Sequence, residues 1–132
     1  MDNTKRPRQT LALYYAAQSV ATIAWWVWMF RMPESRDLFF APGTAEVILG
    51  KFSVPDNLVF GGLGFATCAL LFAKSKWAVP LAWATAGAGA YACFGAIMIN
   101  WPIGQRPVAD VLMALTLAGS ALAAYFTSRT DA

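Results

Sequence analysis

Four long apolar stretches divide this chain, at about residues 10–30, 54–73, 77–100 and 107–127, and their only charged residues, Asp56 and Asp110, lie close to one end. A helix needs roughly 20 apolar residues to cross the hydrocarbon core of a bilayer. The chain has 132 residues, of which 58% are hydrophobic and 13% charged, a balance that excludes an ordinary soluble domain. We therefore predict an all-α integral membrane protein, with four transmembrane helices in an up-down bundle that forms one domain over residues 1–132.

The connections between these stretches differ in length. Residues 31–53 form the long one, and within it Val47, Ile48 and Phe52 can share an apolar face opposite Glu46 and Lys51. This pattern predicts a short interfacial helix in the first outer loop. The alternative is a re-entrant loop, which would bury both of those charges.

The second span is predicted to begin at the sequence Ser53, Val54, Pro55, Asp56. A hydroxyl residue, an early proline and an acid in the first turn are typical of a helix start. The connections near residues 74–76 and 101–106 are short, so spans two, three and four are expected to be antiparallel neighbours.

Basic residues indicate the orientation of the spans. One side holds six of the ten Lys and Arg residues and the other side holds four. The first set is Lys5, Arg6, Arg8, Lys74, Lys76 and Arg129, and the second is Arg31, Arg36, Lys51 and Arg106. By the positive-inside rule we predict that both termini are cytoplasmic. Bulky aromatics at residues 25–30 leave no cleavage site for a signal peptide, so the first helix is retained, and a bacterial inner membrane is favoured.

Small residues recur at helical spacing along the spans. Ala84, Ala88, Ala92 and Ala96 form one such row, and Gly62 with Ala66 forms another. Close packing of small residues is a main source of helix association in lipid. The pattern predicts a tight bundle, with the lipid bilayer as its surroundings. It leaves open a homo-oligomer or a membrane-protein partner.

Catalytic and metal chemistry have no signature in the sequence. Histidine is absent, which removes the commonest metal ligand and general base. Cys68 and Cys93 are not in a CxxC pair, and they lie at different predicted depths, so a disulfide is not expected. No catalytic or metal-binding residue is predicted, enzyme activity is not indicated, and no cofactor can be named. The positive charge follows span ends rather than a nucleic-acid-binding face.

Candidate ligand-binding residues fall into two groups. Gln18 lies at mid-depth in span one, where its amide must find partners, and Tyr91 of span three has a matching depth. The second group surrounds the outer ends of spans two to four and consists of Asp56, Asn57, Asn100, Arg106 and Asp110. A structural interpretation competes for this group, because Asp56 and Asp110 would stabilise helix N-termini and Arg106 would anchor the interface. No ionisable residue is expected in the middle of a span, which disfavours an ion or proton pathway.

The layout resembles the DoxX-like small four-helix membrane proteins. The resemblance rests on four spans, a longer first connection with prolines and the basic turn Ala73, Lys74, Ser75, Lys76. It implies a small four-helix membrane protein, in some cases associated with quinone-linked respiratory complexes.

Three kinds of function agree with these features. The first is a non-catalytic accessory subunit or scaffold that works through helix packing, which requires no chemistry of its own. The second is a lipid- or quinone-binding protein with a site at the outer rim. The third is an oligomeric channel or carrier, which would require Gln18, Thr67, Tyr91 and Ser120 to line one cavity.

Overall fold

Four long helices make up most of the chain in the computed structural model, which describes residues 5–104 and 106–130. They are α1 (Lys5–Arg31), α2 (Ala45–Phe72), α3 (Ala78–Asn100) and α4 (Pro107–Thr130). A short 3-10 helix, Pro33–Leu38, lies between α1 and α2. Every element among the described residues is helical, as the all-α prediction requires.

Helix α2 differs from the prediction for this part of the chain. We expected an interfacial helix near residues 44–52 and a separate span from residue 54, but one helix runs continuously from Ala45 to Phe72. The predicted break is wrong because Pro55 lies inside this helix and does not start a new one. The connection before α2 is correspondingly short and covers residues 32–44, which we call the capping loop.

A wider helical turn explains how α2 accommodates Pro55. Proline has no backbone N–H, so it cannot donate to the carbonyl four residues before it. The helix continues as a π-helix over Asp56–Gly61, and the Gly62 N–H donates to the carbonyl of Asn57, five residues earlier. The Asn57 side-chain amide donates to the Ser53 carbonyl at 2.7 Å, which gives that carbonyl a partner beside the altered turn. Such π segments are rare and occur often at functional sites.

The helices pack in chain order, α1 on α2, α2 on α3 and α3 on α4, and α4 also contacts α1. The turn between α2 and α3 is short because Lys74 adopts a left-handed conformation with φ 54°. The Ser75 N–H then donates to the Leu70 carbonyl at 3.0 Å, which closes the C-terminus of α2. We call this end of the molecule the short-turn end, and the end with the capping loop and residues 101–104 and 106 the loop end.

Two buried clusters lie between the helices, one toward each end. At the short-turn end Tyr15 and Leu71 pack among alanines of α1, α3 and α4. At the loop end Trp26 and Met29 pack against Phe39 and Phe40 of the capping loop and against Ile48 of α2. The capping loop therefore forms part of the core and closes the loop end.

Three helices are long and apolar enough to cross a membrane: Ala45–Phe72, Ala78–Asn100 and Pro107–Thr130. Helix α1 is not among these three, because its uncharged stretch contains Gln, Ser, Tyr and Trp residues that lower the mean hydropathy. The outer surface is rich in large apolar side chains, such as Val20, Val59, Phe94 and Leu115. A surface of this kind fits a lipid environment. The chain is therefore compatible with a small integral membrane protein.

Candidate functional site

A cavity of about 500 Å³ lies between the helices toward the loop end. All four helices and the capping loop contribute to its wall. The wall consists of Tyr14, Ala17, Gln18, Ala21, Thr22, Trp25, Trp26, Phe40, Ile48, Phe52, Asp56, Phe60, Gly89, Ala92, Cys93, Ala96, Leu112, Met113 and Thr116. Cavities that bind small molecules have this volume, a mainly apolar lining and a few polar groups that orient the ligand.

Asp56 supplies the one carboxylate among the described residues of this wall. It is half-buried at the beginning of the π segment, near the middle of the 28-residue helix α2. Trp26 of α1 and Cys93 of α3 border the same cavity. Asp56 therefore belongs to a helix interior and not to the helix start that the sequence predicted.

Gln18 supplies the second polar group that needs partners. Its Oε1 accepts a hydrogen bond from the Ser120 hydroxyl at 3.2 Å, which links α1 to α4. Its Nε2 is buried and has no partner among the described atoms. A buried amide N–H without a partner costs free energy, and a ligand acceptor in the cavity would satisfy it. The expected neighbour Tyr91 is not there, because its side chain is 70% exposed on the outer surface of α3.

Asn100 and Arg106 hold the capping loop in place. The Asn100 Oδ1 accepts hydrogen bonds from the Ala41 N–H at 3.0 Å and from the Thr44 hydroxyl at 3.1 Å. Its Nδ2 donates to the Phe39 carbonyl at 3.3 Å. The Arg106 Nε donates to the Phe40 carbonyl at 3.0 Å. The polar groups of both residues thus bond to loop backbone and fix Phe40 against the cavity.

The other residues of the predicted outer-rim group lie outside the cavity wall. Asn57 is half-buried beside Asp56, and its Oδ1 has no partner among the described atoms. Asp110 is in the first turn of α4 and borders a separate void of about 10 Å³. Of the seven predicted residues, the structure brings Asp56 and Gln18 together in one cavity and leaves Asn57, Asn100, Arg106, Asp110 and Tyr91 outside it.

The cavity opens sideways between α1 and α4. Three residues of its wall, Ala17, Ala21 and Leu112, are exposed at the outer surface, and we call the opening that they border the lateral window. Helices α1 and α4 meet through Gln18 and Ser120 and through Tyr14 and Gly119, on the side of the cavity nearer the short-turn end. The exposed residues of the cavity wall belong to these two helices, so a molecule can enter between them.

The aromatic part of this wall was not predicted from the sequence. Trp25 and Trp26 entered the predictions as an argument against a cleavage site, but Trp26 is buried and both border the cavity. Phe52 and Phe60 also lie there, one on each side of Asp56 along α2. The four-residue spacing of Phe52, Asp56 and Phe60 was the available signal, because residues four apart share one helix face.

Both cysteines are free thiols, Cys68 half-buried and Cys93 buried. Over residues 5–104 and 106–130, no group of three His, Cys, Asp or Glu side chains is placed to hold a metal ion. Comparisons with protein-family models, curated proteins and solved structures gave no match to this chain.

Proposed function

We propose that this chain is a four-span membrane protein that takes a lipid-soluble small molecule from the bilayer into the cavity beside Asp56. The cavity itself is the observation that supports this proposal most strongly. It has the volume and the largely apolar, aromatic wall of a ligand site, and its polar groups come from different helices. Three helices are apolar enough to cross a membrane, so a bilayer is the expected source of the ligand.

The position of α1 supports its assignment as the fourth span. It packs between α2 and α4 and contributes seven residues to the cavity wall. Its outward side chains include Leu13, Val20, Ile23 and Val27, all large and exposed. Because this face is apolar and the neighbouring helices are span candidates, α1 would lie in the same lipid layer. The charge distribution then favours both termini in the cytoplasm.

The lateral window supports entry from lipid. An opening bordered by Ala17, Ala21 and Leu112 presents small and apolar side chains, which lipid-soluble molecules can pass without desolvating a charge. The capping loop meanwhile covers the loop end with Phe39 and Phe40, both buried. The geometry therefore favours access from the side.

Blocking the window tests the proposal. We expect Ala21→Phe to reduce by at least tenfold the fraction of chains that retain a small molecule, because the ring would occupy the opening. The measurement is intact mass spectrometry of protein purified gently from native membranes. Ala24→Phe is the matched control, since Ala24 is exposed on the same helix but does not border the cavity. Wild-type protein without any retained molecule, or equal retention in Ala21→Phe, would contradict the proposal.

The same spectra address the other predicted functions. An accessory subunit or scaffold stays a prediction, and a stoichiometric second protein in the spectra would support it. The channel hypothesis required Gln18, Thr67, Tyr91 and Ser120 around one cavity. Only Gln18 lines it, while Thr67 is buried against Thr85 and Tyr91 faces outward.

A further inference from the structure

We propose that the cavity ligand is a lipophilic cation, which pairs with the Asp56 carboxylate and displaces its proton. This inference rests on the proposed function and names the chemical class that the same cavity selects. Three features carry it: an acid without a basic partner, an aromatic wall around that acid, and access from lipid.

The first feature is the electrostatic isolation of Asp56. None of the described residues that line the cavity is Lys or Arg. An ionised carboxylate in such apolar surroundings costs free energy unless a proton or a cation neutralises it. The Trp26 side chain, which also borders the cavity, carries no charge. The Asp56 carboxylate must therefore be neutralised by a proton or by a positively charged ligand.

The second feature is the composition of the wall. Six aromatic residues border the cavity, namely Tyr14, Trp25, Trp26, Phe40, Phe52 and Phe60. Aromatic rings attract cations through their negative faces, and this attraction is strongest where water is excluded. Aromatic rings also accommodate the apolar groups of an organic cation. A neutral lipid chain would fill the cavity equally well, but it would not form an ion pair with the Asp56 carboxylate.

The proton balance of binding follows from the groups that face Asp56. The other titratable side chains on the wall are Tyr14 of α1 and Cys93 of α3. The capping loop contributes Phe40, and α4 contributes Leu112, Met113 and Thr116, none of which titrates. When a cation binds to protonated Asp56, the carboxyl O–H bond breaks and the proton passes to bulk water. The exchange is one proton released for each cation bound, with no net change of charge in the cavity.

Tetraphenylphosphonium and tetraphenylborate provide a sharp test, because they have nearly the same shape and opposite charge. Binding is measured by titration calorimetry on wild-type protein in phosphatidylcholine nanodiscs, with empty nanodiscs as the blank. We expect saturable binding of the phosphonium ion and no saturable binding of the borate. Since acid protonates Asp56, phosphonium affinity should fall as the pH is lowered, by up to about tenfold per pH unit.

Asp56→Asn keeps the shape of the side chain and removes its charge. We expect this variant to bind the phosphonium ion at least tenfold more weakly and to lose the pH dependence. Asp110→Asn is the matched control, since Asp110 lies at the start of α4 outside the cavity, and it should bind like wild type.

Two results would overturn the inference: unchanged affinity in Asp56→Asn, or equal saturable binding of both ions. A third result would also overturn the inference: wild-type protein does not bind the phosphonium ion but retains a native molecule that Ala21→Phe does not retain. In that case the proposed function still stands. If wild type binds neither the ion nor a native molecule, both proposals fail.

Discussion

Gly64→Leu is expected to lower the free energy of unfolding by about 3 kcal/mol, because α2 packs closely against α1 at Gly64. A Cβ atom at this position would collide with the Ser19 hydroxyl and would lie 3.3 Å from the Tyr15 backbone carbonyl. The Ser19 side chain can rotate, but the carbonyl is fixed within α1. A leucine therefore separates the two helices. Reversible unfolding in mixed detergent micelles measures the loss.

Gly62→Leu is the matched control for this variant. Gly62 is exposed, and among the described residues no atom lies within 4 Å of the Cβ that a substitution would add. Leucine also forms helix better than glycine, by up to about 1 kcal/mol. Stability should be unchanged or slightly raised. Equal losses in both variants would show that the effect comes from α2 itself and not from its contact with α1.

Asn100→Leu should destabilise the loop end by about 3 kcal/mol, the second largest effect that we expect. Leucine has a similar volume, but it leaves the Ala41 N–H, the Thr44 hydroxyl and the Phe39 carbonyl without their partner. Each buried group of this kind costs about 1–3 kcal/mol when unsatisfied. Part of this cost is offset because Thr44 also donates to the Ala41 carbonyl at 2.8 Å.

Trypsin provides a local measurement of the same change. Arg36 lies in the capping loop and is partly protected, with its Nε donating to the Met29 carbonyl at 2.8 Å. Release of the loop in Asn100→Leu should raise the cleavage rate after Arg36 at least tenfold. Arg106→Gln removes one hydrogen bond from a half-buried side chain and should cause a smaller increase. An unchanged cleavage rate in Asn100→Leu would contradict the conclusion that Asn100 holds the capping loop in place.

Most of the helical architecture was predictable because long apolar stretches leave few alternatives. Helices α1, α3 and α4 cover the predicted stretches, and α1 begins five residues before the predicted residue 10. The start of α2 was not predictable from local pattern. Ser53, Pro55 and Asp56 fit a helix start as well as a helix interior, and the helix continues past Pro55 as a π segment over Asp56–Gly61.

The cavity was only partly predictable for a similar reason. Polarity alone indicated Gln18 and Asp56, but it also indicated Asn100 and Arg106, whose hydrogen bonds go to the capping loop. Which helix face points inward depends on the rotation of each helix. Gly62 and Ala66, predicted as a packing pair, are exposed, whereas Gly64 makes the contact with α1. Small residues occur on both faces of α2, so spacing could not decide between them.

Under the proposed function, the lateral window also affects how affinity should be measured. A site that opens into the bilayer equilibrates with the ligand dissolved in lipid, and the concentration in water matters only through the partition coefficient. Apparent Kd values expressed per volume of water will therefore change with the lipid-to-protein ratio, while values expressed as a mole fraction of lipid will not. Strongly polar molecules would be excluded by their low abundance in the membrane, without any steric or electrostatic barrier at the protein.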